Sequence, residues 1–412
     1  MRKLSFTMCL LLATVCVCGQ KKEVNNAYNF YTNGYLDRAK NAIDKAILND
    51  ETAKEAKTWM YRGNIYLRLA DIREKELQWE KNKEDSLKQG KPVPVVTRDQ
   101  QNNRAYVNLC TNCAEIAYEA YMKALELDEN IKADNMGIAT PKIGLKFCAS
   151  FLYNEAVSLF GASKFEEAYS VLVKANIADP KQDHIVYLLA YTAELTNKTD
   201  IAKTNYSDMV RDKSKNDRAY QQLANIYKSE NDTARMLKVM HDGEAIFMTK
   251  DTIYINFVTA YSFFLSWAGK TDEAADIMER ALEKYPDDHI FLIGYGTTLS
   301  DNGHYEKAEK YLKKALEIKP DEVTAVFNLG TCYYNNYSSV MKGLSSIDDQ
   351  AEYDRQRGVA LELLEKARIE MEKAHEMDPK DRNTLTALRS IYTRMGKTNE
   401  LKSINEKLDA LK

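Results

Sequence analysis

Small and large apolar residues recur along this chain with two superposed periods. Within short stretches they fall three and four residues apart, as on one face of an α-helix. Over longer stretches the same order returns after about 34 residues, the mark of a stacked-repeat architecture. From His289 to Glu322 it reads Tyr295-Gly296 in a first helix, then Ala308, Leu312 and Ala315 in a second, closed by Pro320. The period predicts helix pairs opening near Gln20, Ala56, Ala149, Asp183, Asp217, Ile255, His289, Val323 and Arg382. Aligned on these starts, the small site of the first helices is Ala27, Gly63, Ala156, Ala190, Ala224, Ser262, Gly296 and Gly330, with Arg389 out of line.

Two helices that cross closely leave no volume for a branched side chain at the contact, so one residue there must be small. Second helices follow the same rule with Ala39, Ala117, Ala168, Ala202, Ala274, Ala308 and Ala367, and with fillers such as Ile43, Tyr121, Leu172, Met278, Leu312 and Met371 one turn on. Pro180, Pro286, Pro320 and Pro379 fall just past helix ends, where a residue without an N–H stops the ladder. A bundle whose alanines recur by composition alone has no reason to hold this register. The fit is poorest in the fifth pair, where Met236 and Gly243 stand in for alanines, and in the last.

These residues resemble the tetratricopeptide repeat. The resemblance implies an all-α, right-handed α-solenoid of about nine helix pairs. It further implies a concave groove lined by first helices that holds a protein or peptide. Carried over position by position, the groove presents Tyr153, Asn154, His184, Tyr187, Tyr191, Gln221, Asn225, Phe263, Trp267, Thr297, Phe327, Asn328 and Tyr334, with Glu194, Arg218, Lys228 and Asp301 among its few charges. Any one of these rings has the alternative role of packing on a neighbouring helix. One subclass of the family grips a C-terminal carboxylate with paired Lys and Asn. Here Asn64 and Asn154 match, but Met60 and Leu188 stand where cations belong, and a carboxylate bound without cations would not recover its desolvation cost.

Two interruptions break the register. In the second pair the first helix, marked by Trp59, Gly63 and Tyr66, is followed by an insertion at about 70–113, charged and helix-forming to Gln89 and broken at Gly90 to Val96. It predicts that both helices extend into a hairpin arm of roughly 25 Å. The tip, Pro92, Val93, Pro94, Val95 and Val96, is either an exposed contact point for another chain or folds back onto the repeats. The second insertion, at about 335–360, follows Tyr334 and includes Gly343, Asp348 and Asp349. The expected organisation is a leader over 1–19, repeats with the hairpin over 20–131, and a connector with the start of the next helix over 132–148. Repeats follow over 149–250 and 251–322, then the interrupted repeat over 323–381 and a capping repeat over 382–412.

The leader is read from Arg2 and Lys3 ahead of an apolar run, Leu4 to Val17, too short to span a bilayer. Cleavage after Gly19 is the leading expectation; lipid on Cys16 or Cys18 is the competing one, with Val15 and Val17 poor neighbours for it. An exported, periplasmic chain meets an oxidising compartment. Cys110 and Cys113 have metal or redox spacing but lack a second pair or a strand-rich context, so they are expected mid-helix as packing residues with at most a local bridge. Cys148 and Cys332 are expected in the core.

At 44% apolar and 29% charged residues, with Pro at 7 and a formal net charge of −3, the composition is that of a folded helical chain without a basic nucleic-acid footprint. The five histidines are scattered, and no HExxH, GxxxxGK or GxSxG occurs. The sequence therefore predicts no enzyme, no metal, no cofactor, no nucleic acid and no membrane-spanning segment in the mature chain. It predicts a protein-binding scaffold resembling exported tetratricopeptide proteins of Bacteroidota. The competing reading is a surface glycan- or nutrient-binding protein built on such a core.

Overall fold

The computed structural model describes residues 21–133, 139–249 and 251–411. The leader with its cut at Gly19, the lipid alternatives Cys16 and Cys18, and Gly137 of the connector lie outside the described residues.

The chain falls into two compact units, Met1–Tyr206 and Ser207–Lys412. The first contains α1 (residues 21–32), α2 (Leu36–Ala46), α3 (Ala56–Lys88), α4 (Arg98–Asn103), α5 (Cys113–Leu127), α6 (Pro141–Gly161), α7 (Phe165–Ala178), α8 (Asp183–Leu195) and the start of α9 (Thr199–Arg211). The second takes the remainder of α9, then α10 (Asp217–Ser229), α11 (Thr233–Phe247), α12 (Ile255–Trp267), α13 (Thr271–Lys284) and α14 (His289–Asp301). It closes with α15 (Tyr305–Ile318), α16 (Val323–Gly343), α17 (Gln350–Met377), α18 (Arg382–Met395) and α19 (Thr398–Asp409). Among the described residues there is no strand, only an isolated bridge between Met248 and Ile253. None of these helices is long and apolar enough to cross a membrane.

Helix starts are set by caps. The Asp288 carboxylate accepts from the Ile290 and Phe291 amides ahead of α14, and Asp381 does the same for Asn383 and Thr384 ahead of α18. Such caps satisfy amides that have no partner in the first turn. The small sites then let the paired helices close. A Cβ on Gly296 would lie 2.7 Å from Leu312 Cγ, so α14 and α15 mesh only because none is there. On Gly330 a Cβ would meet Met371 at 3.1 Å and Glu370 Cβ at 3.4 Å. Gly330→Leu should therefore destabilise the α16–α17 pair by about 1–3 kcal/mol, read as a fall in melting temperature and lost amide protection in those helices. An unchanged melt would count against this crossing.

Successive helices are also tied by a recurring tyrosine–carboxylate bond. Tyr66 on α3 donates to Asp44 on α2 at 2.7 Å, Tyr333 on α16 to Glu309 on α15 at 2.9 Å, and Tyr392 on α18 to Glu372 on α17 at 2.7 Å. Burial and the acceptor carboxylate push the Tyr333 and Tyr392 hydroxyls above the usual phenol range, so they remain donors. Past these ties Arg389 is exposed, and α19 buries Ile404 and Leu408.

The second pair departs from the expected hairpin. Its outgoing stem is one continuous helix to Lys88, but the return is not helical throughout: an extended run over 91–97, then α4 and a single 3-10 turn at Arg104–Tyr106. Pro92 and Pro94 have no N–H to continue a ladder, and polar contacts lay the return along α3 instead. The Trp79 indole donates to the Pro94 carbonyl at 3.1 Å, Gln100 donates to the Lys75 carbonyl at 3.4 Å, and Arg104 pairs with the buried Glu76 at 3.3 Å. The eighth pair, by contrast, extends on both sides of its insertion, in α16 and α17.

The cysteine expectation also needs correction. Cys110 and Cys113 are not mid-helix: Cys110 precedes α5 and Cys113 is its first residue. The two are joined as a disulfide with Cα atoms 5.5 Å apart. Asn112 supplies the break, since short amide side chains favour turns over helix interiors. Cys148 and Cys332 are buried free thiols, and burial pushes Cys148 up to about 12.

Candidate functional site

The residues carried over as groove-lining lie on first helices and are exposed or half-buried. In the first unit, Tyr153 on α6 meets His184 on α8 edge-on at 4.7 Å between ring centres. Tyr187 and Tyr191, one turn apart on α8, stack at 6.1 Å. Asn154 donates to Glu74 on the extended part of α3 at 2.8 Å. Asn64 is buried, its amide spent on the Met60 carbonyl at 2.8 Å and the Ala139 carbonyl at 3.0 Å. Asn64 has no amide proton left for a carboxylate, and Asn154 already meets the Glu74 carboxylate, which agrees with the missing lysine at Met60.

In the second unit the candidates divide. Gln221 bonds Asp217 at 3.1 Å and Asn225 bonds Gln222 at 3.2 Å, both within α10. Tyr334 accepts from Arg394 Nε at 2.7 Å, while the guanidinium also covers the Tyr337 ring. Phe327 is half-buried on α16. Phe263 and Trp267, one turn apart on α12, stay 51% and 42% exposed, with the Lys228 ammonium of α10 4.4 Å from the first ring centre and 5.4 Å from the second. An ammonium over a ring face is attracted by the ring quadrupole and holds the aromatic in place.

Beside Phe263 opens a cavity of about 530 Å³ along α12, α14 and α16. Its apolar wall is Phe263, Ile290 and Ile293, with Gly294 letting Met278 pack beneath. Its polar wall is internally bonded: Asn328 donates to Thr297 Oγ1 at 2.9 Å, and Ser262 and Thr298 share a hydroxyl bond at 3.2 Å. At one end Glu322 takes Lys319 at 2.7 Å and lies 3.8 Å from His289 Nε2. Asp301 stands at the other end, the last residue of α14.

The sequence carry-over named Phe263, Thr297, Asn328 and Asp301 of this cavity and missed Ile290, Ile293 and Gly294. Those three occupy groove positions of the same unit, where two aliphatic residues and a glycine carry no polar or aromatic signal of a contact surface. The Pro92–Val96 tip is mixed: Val95 is 87% and Val93 41% exposed, while Pro94 is held by Trp79. No cluster of three His, Cys, Asp or Glu among the described residues could hold a metal ion.

Comparison with known proteins gives one family match: residues 268–331, which cover α13, α14, α15 and part of α16, fit the tetratricopeptide repeat model. No curated protein matches the chain. Among solved structures, a tetratricopeptide repeat protein from Parabacteroides merdae is 14% identical over 59% of this chain and 98% of its own, with a TM-score of 0.39. Yeast Tom70 is 15% identical over 95% and 85%, with a TM-score of 0.44. Human IFIT1, solved as a dimer with m7Gppp-AAAA, is 16% identical over 93% and 66%, at 0.39. The family match at 268–331 coincides with the segment where the small–large–small register is cleanest, and that segment is similar to tetratricopeptide repeats.

Proposed function

We propose that this chain is a non-enzymatic scaffold of the bacterial cell envelope that holds a peptide or protein segment on the first-helix face of its second unit. The cavity beside Phe263 carries the reading. It pairs an apolar wall and two exposed rings with hydroxyl and amide groups, the mixture that fixes an extended peptide by area and by backbone bonds. Its volume falls within the range of ordinary ligand sites. The apolar leader supports export, and a disulfide at Cys110–Cys113 suits the oxidising compartment that export would supply.

A photo-crosslinking residue placed at Thr297, inside the cavity, tests the site in the native envelope. It should capture a discrete partner that the same residue placed at Lys238, exposed on α11, does not. Phe263→Ala with Trp267→Ala should weaken that capture by about 30-fold, the effect of removing a central aromatic anchor of about 2 kcal/mol. Equal capture from both positions would sink the reading. A variant lacking residues 89–97 separates the tip: a partner held equally well without it removes any role for Val93 and Val95 as a contact point.

A further inference from the structure

We infer that the cavity on α12, α14 and α16 selects a cationic side chain, a lysine or arginine of the bound segment, which pairs with Asp301 while an apolar neighbour rests on Phe263 and Ile290. The inference rests on the peptide-binding reading above and specifies its ligand.

The charge balance of the cavity points there. Of its two carboxylates, Glu322 is already matched by Lys319 at 2.7 Å, and that bond holds it below the usual carboxylate range. Asp301 has no hydrogen-bond or ion-pair partner among the described residues, and desolvation against the wall raises its carboxyl. Its place in the helix makes this worse. As the last residue of α14, it sits where unpaired carbonyls concentrate negative partial charge, the end at which cations and not anions are favoured. Asp301 remains exposed, and a carboxylate set against the helix dipole, facing a cavity and lacking a cation, is free to take one from a ligand.

Geometry fits the same occupant. From His289 to Asp301 the wall of α14 runs roughly 18 Å at 1.5 Å per residue, the reach of about five or six extended residues. The Glu322 end is charge-matched, so the unmatched charge lies at the Asp301 end alone. Lys228 does not line the cavity; it sits over Phe263 and Trp267 at the outer edge. There it discourages a second cation from settling on the rings and leaves Asp301 as the place for one.

The test uses the full chain on arrayed octapeptide pools, degenerate except for a fixed central lysine, arginine, norleucine or glutamate. The wild type should retain lysine and arginine pools about tenfold better than norleucine or glutamate pools, a pair worth about 1.4 kcal/mol. Asp301→Asn should erase that preference and leave retention of the norleucine pool unchanged, whereas Glu283→Gln on α13 should change neither. Asp301→Asn should also melt no lower than the wild type, since it removes an unrelieved charge. Retention without cation preference, or a preference that survives Asp301→Asn, overturns this inference alone. If the wild type retains no pool, the peptide-binding reading falls and this inference with it.

Discussion

Gly144→Ala should destabilise the first unit by about 2–3 kcal/mol, although alanine is the better helix former by about 1 kcal/mol. Gly144 lies inside α6, and a Cβ there would stand 2.2 Å from Cζ and 2.4 Å from Cε2 of Tyr121. The ring cannot retreat, because a Cβ built on Gly63 of α3 would already stand 2.4 Å from its Cε1. Tyr121 is fully buried in a slot that two glycines on different helices leave open. Repeat proteins hold together through neighbour contacts, so the loss should appear as faster amide exchange in α3, α5 and α6. In a Tyr121→Ala background, itself costing about 3–5 kcal/mol, the Gly144→Ala penalty should vanish. A penalty that persists there would place the clash elsewhere.

In the second unit, Phe257→Ala should cost about 3–5 kcal/mol. Phe257 is fully buried on α12, 4.8 Å from the Phe247 ring and 6.4 Å from the Tyr220 ring. Its edge occupies the place where a Cβ on Gly243 would come, at 2.6 Å. Gly243→Ala alone should therefore destabilise by about 1–3 kcal/mol, again against its helix propensity. The two changes share one volume, so the double variant should be more stable than the sum predicts, by at least 0.5 kcal/mol. Strict additivity, measured by exchange protection in α10 to α12, would show that the glycine and the ring do not compete for space.

These sites show what periodicity conveys and what it hides. Asp183, Asp217, Ile255, His289, Val323 and Arg382 were legible as helix starts and are the first residues of α8, α10, α12, α14, α16 and α18. The helical signal is local, carried by residues three or four apart and by caps that act within one turn. Gly243 looked like a fault in the repeat because its reason, the Phe257 ring, belongs to the next helix pair. Gly144 gave no signal at all, since its partner Tyr121 sits on another helix beyond the connector. The return of the second pair reads as a helix because Gln and Arg favour helix locally, whereas Trp79 and Glu76 on α3 fix the chain beside them.

Of the candidate site, Phe263, Trp267, Thr297 and Asn328 were reachable by position within the repeat. That Phe263 lines a cavity and Trp267 stacks under Lys228 was not, because position in a repeat gives a face and not a neighbour. The sequence by itself determined an all-helical chain of stacked pairs, since a close crossing demands a small residue at a fixed spacing and spacing is written along the chain. Only the tertiary structure decided which volumes are shared, which cysteines join and which carboxylate is left without a cation. Those are sums over residues brought together from different helices, and no local pattern records them.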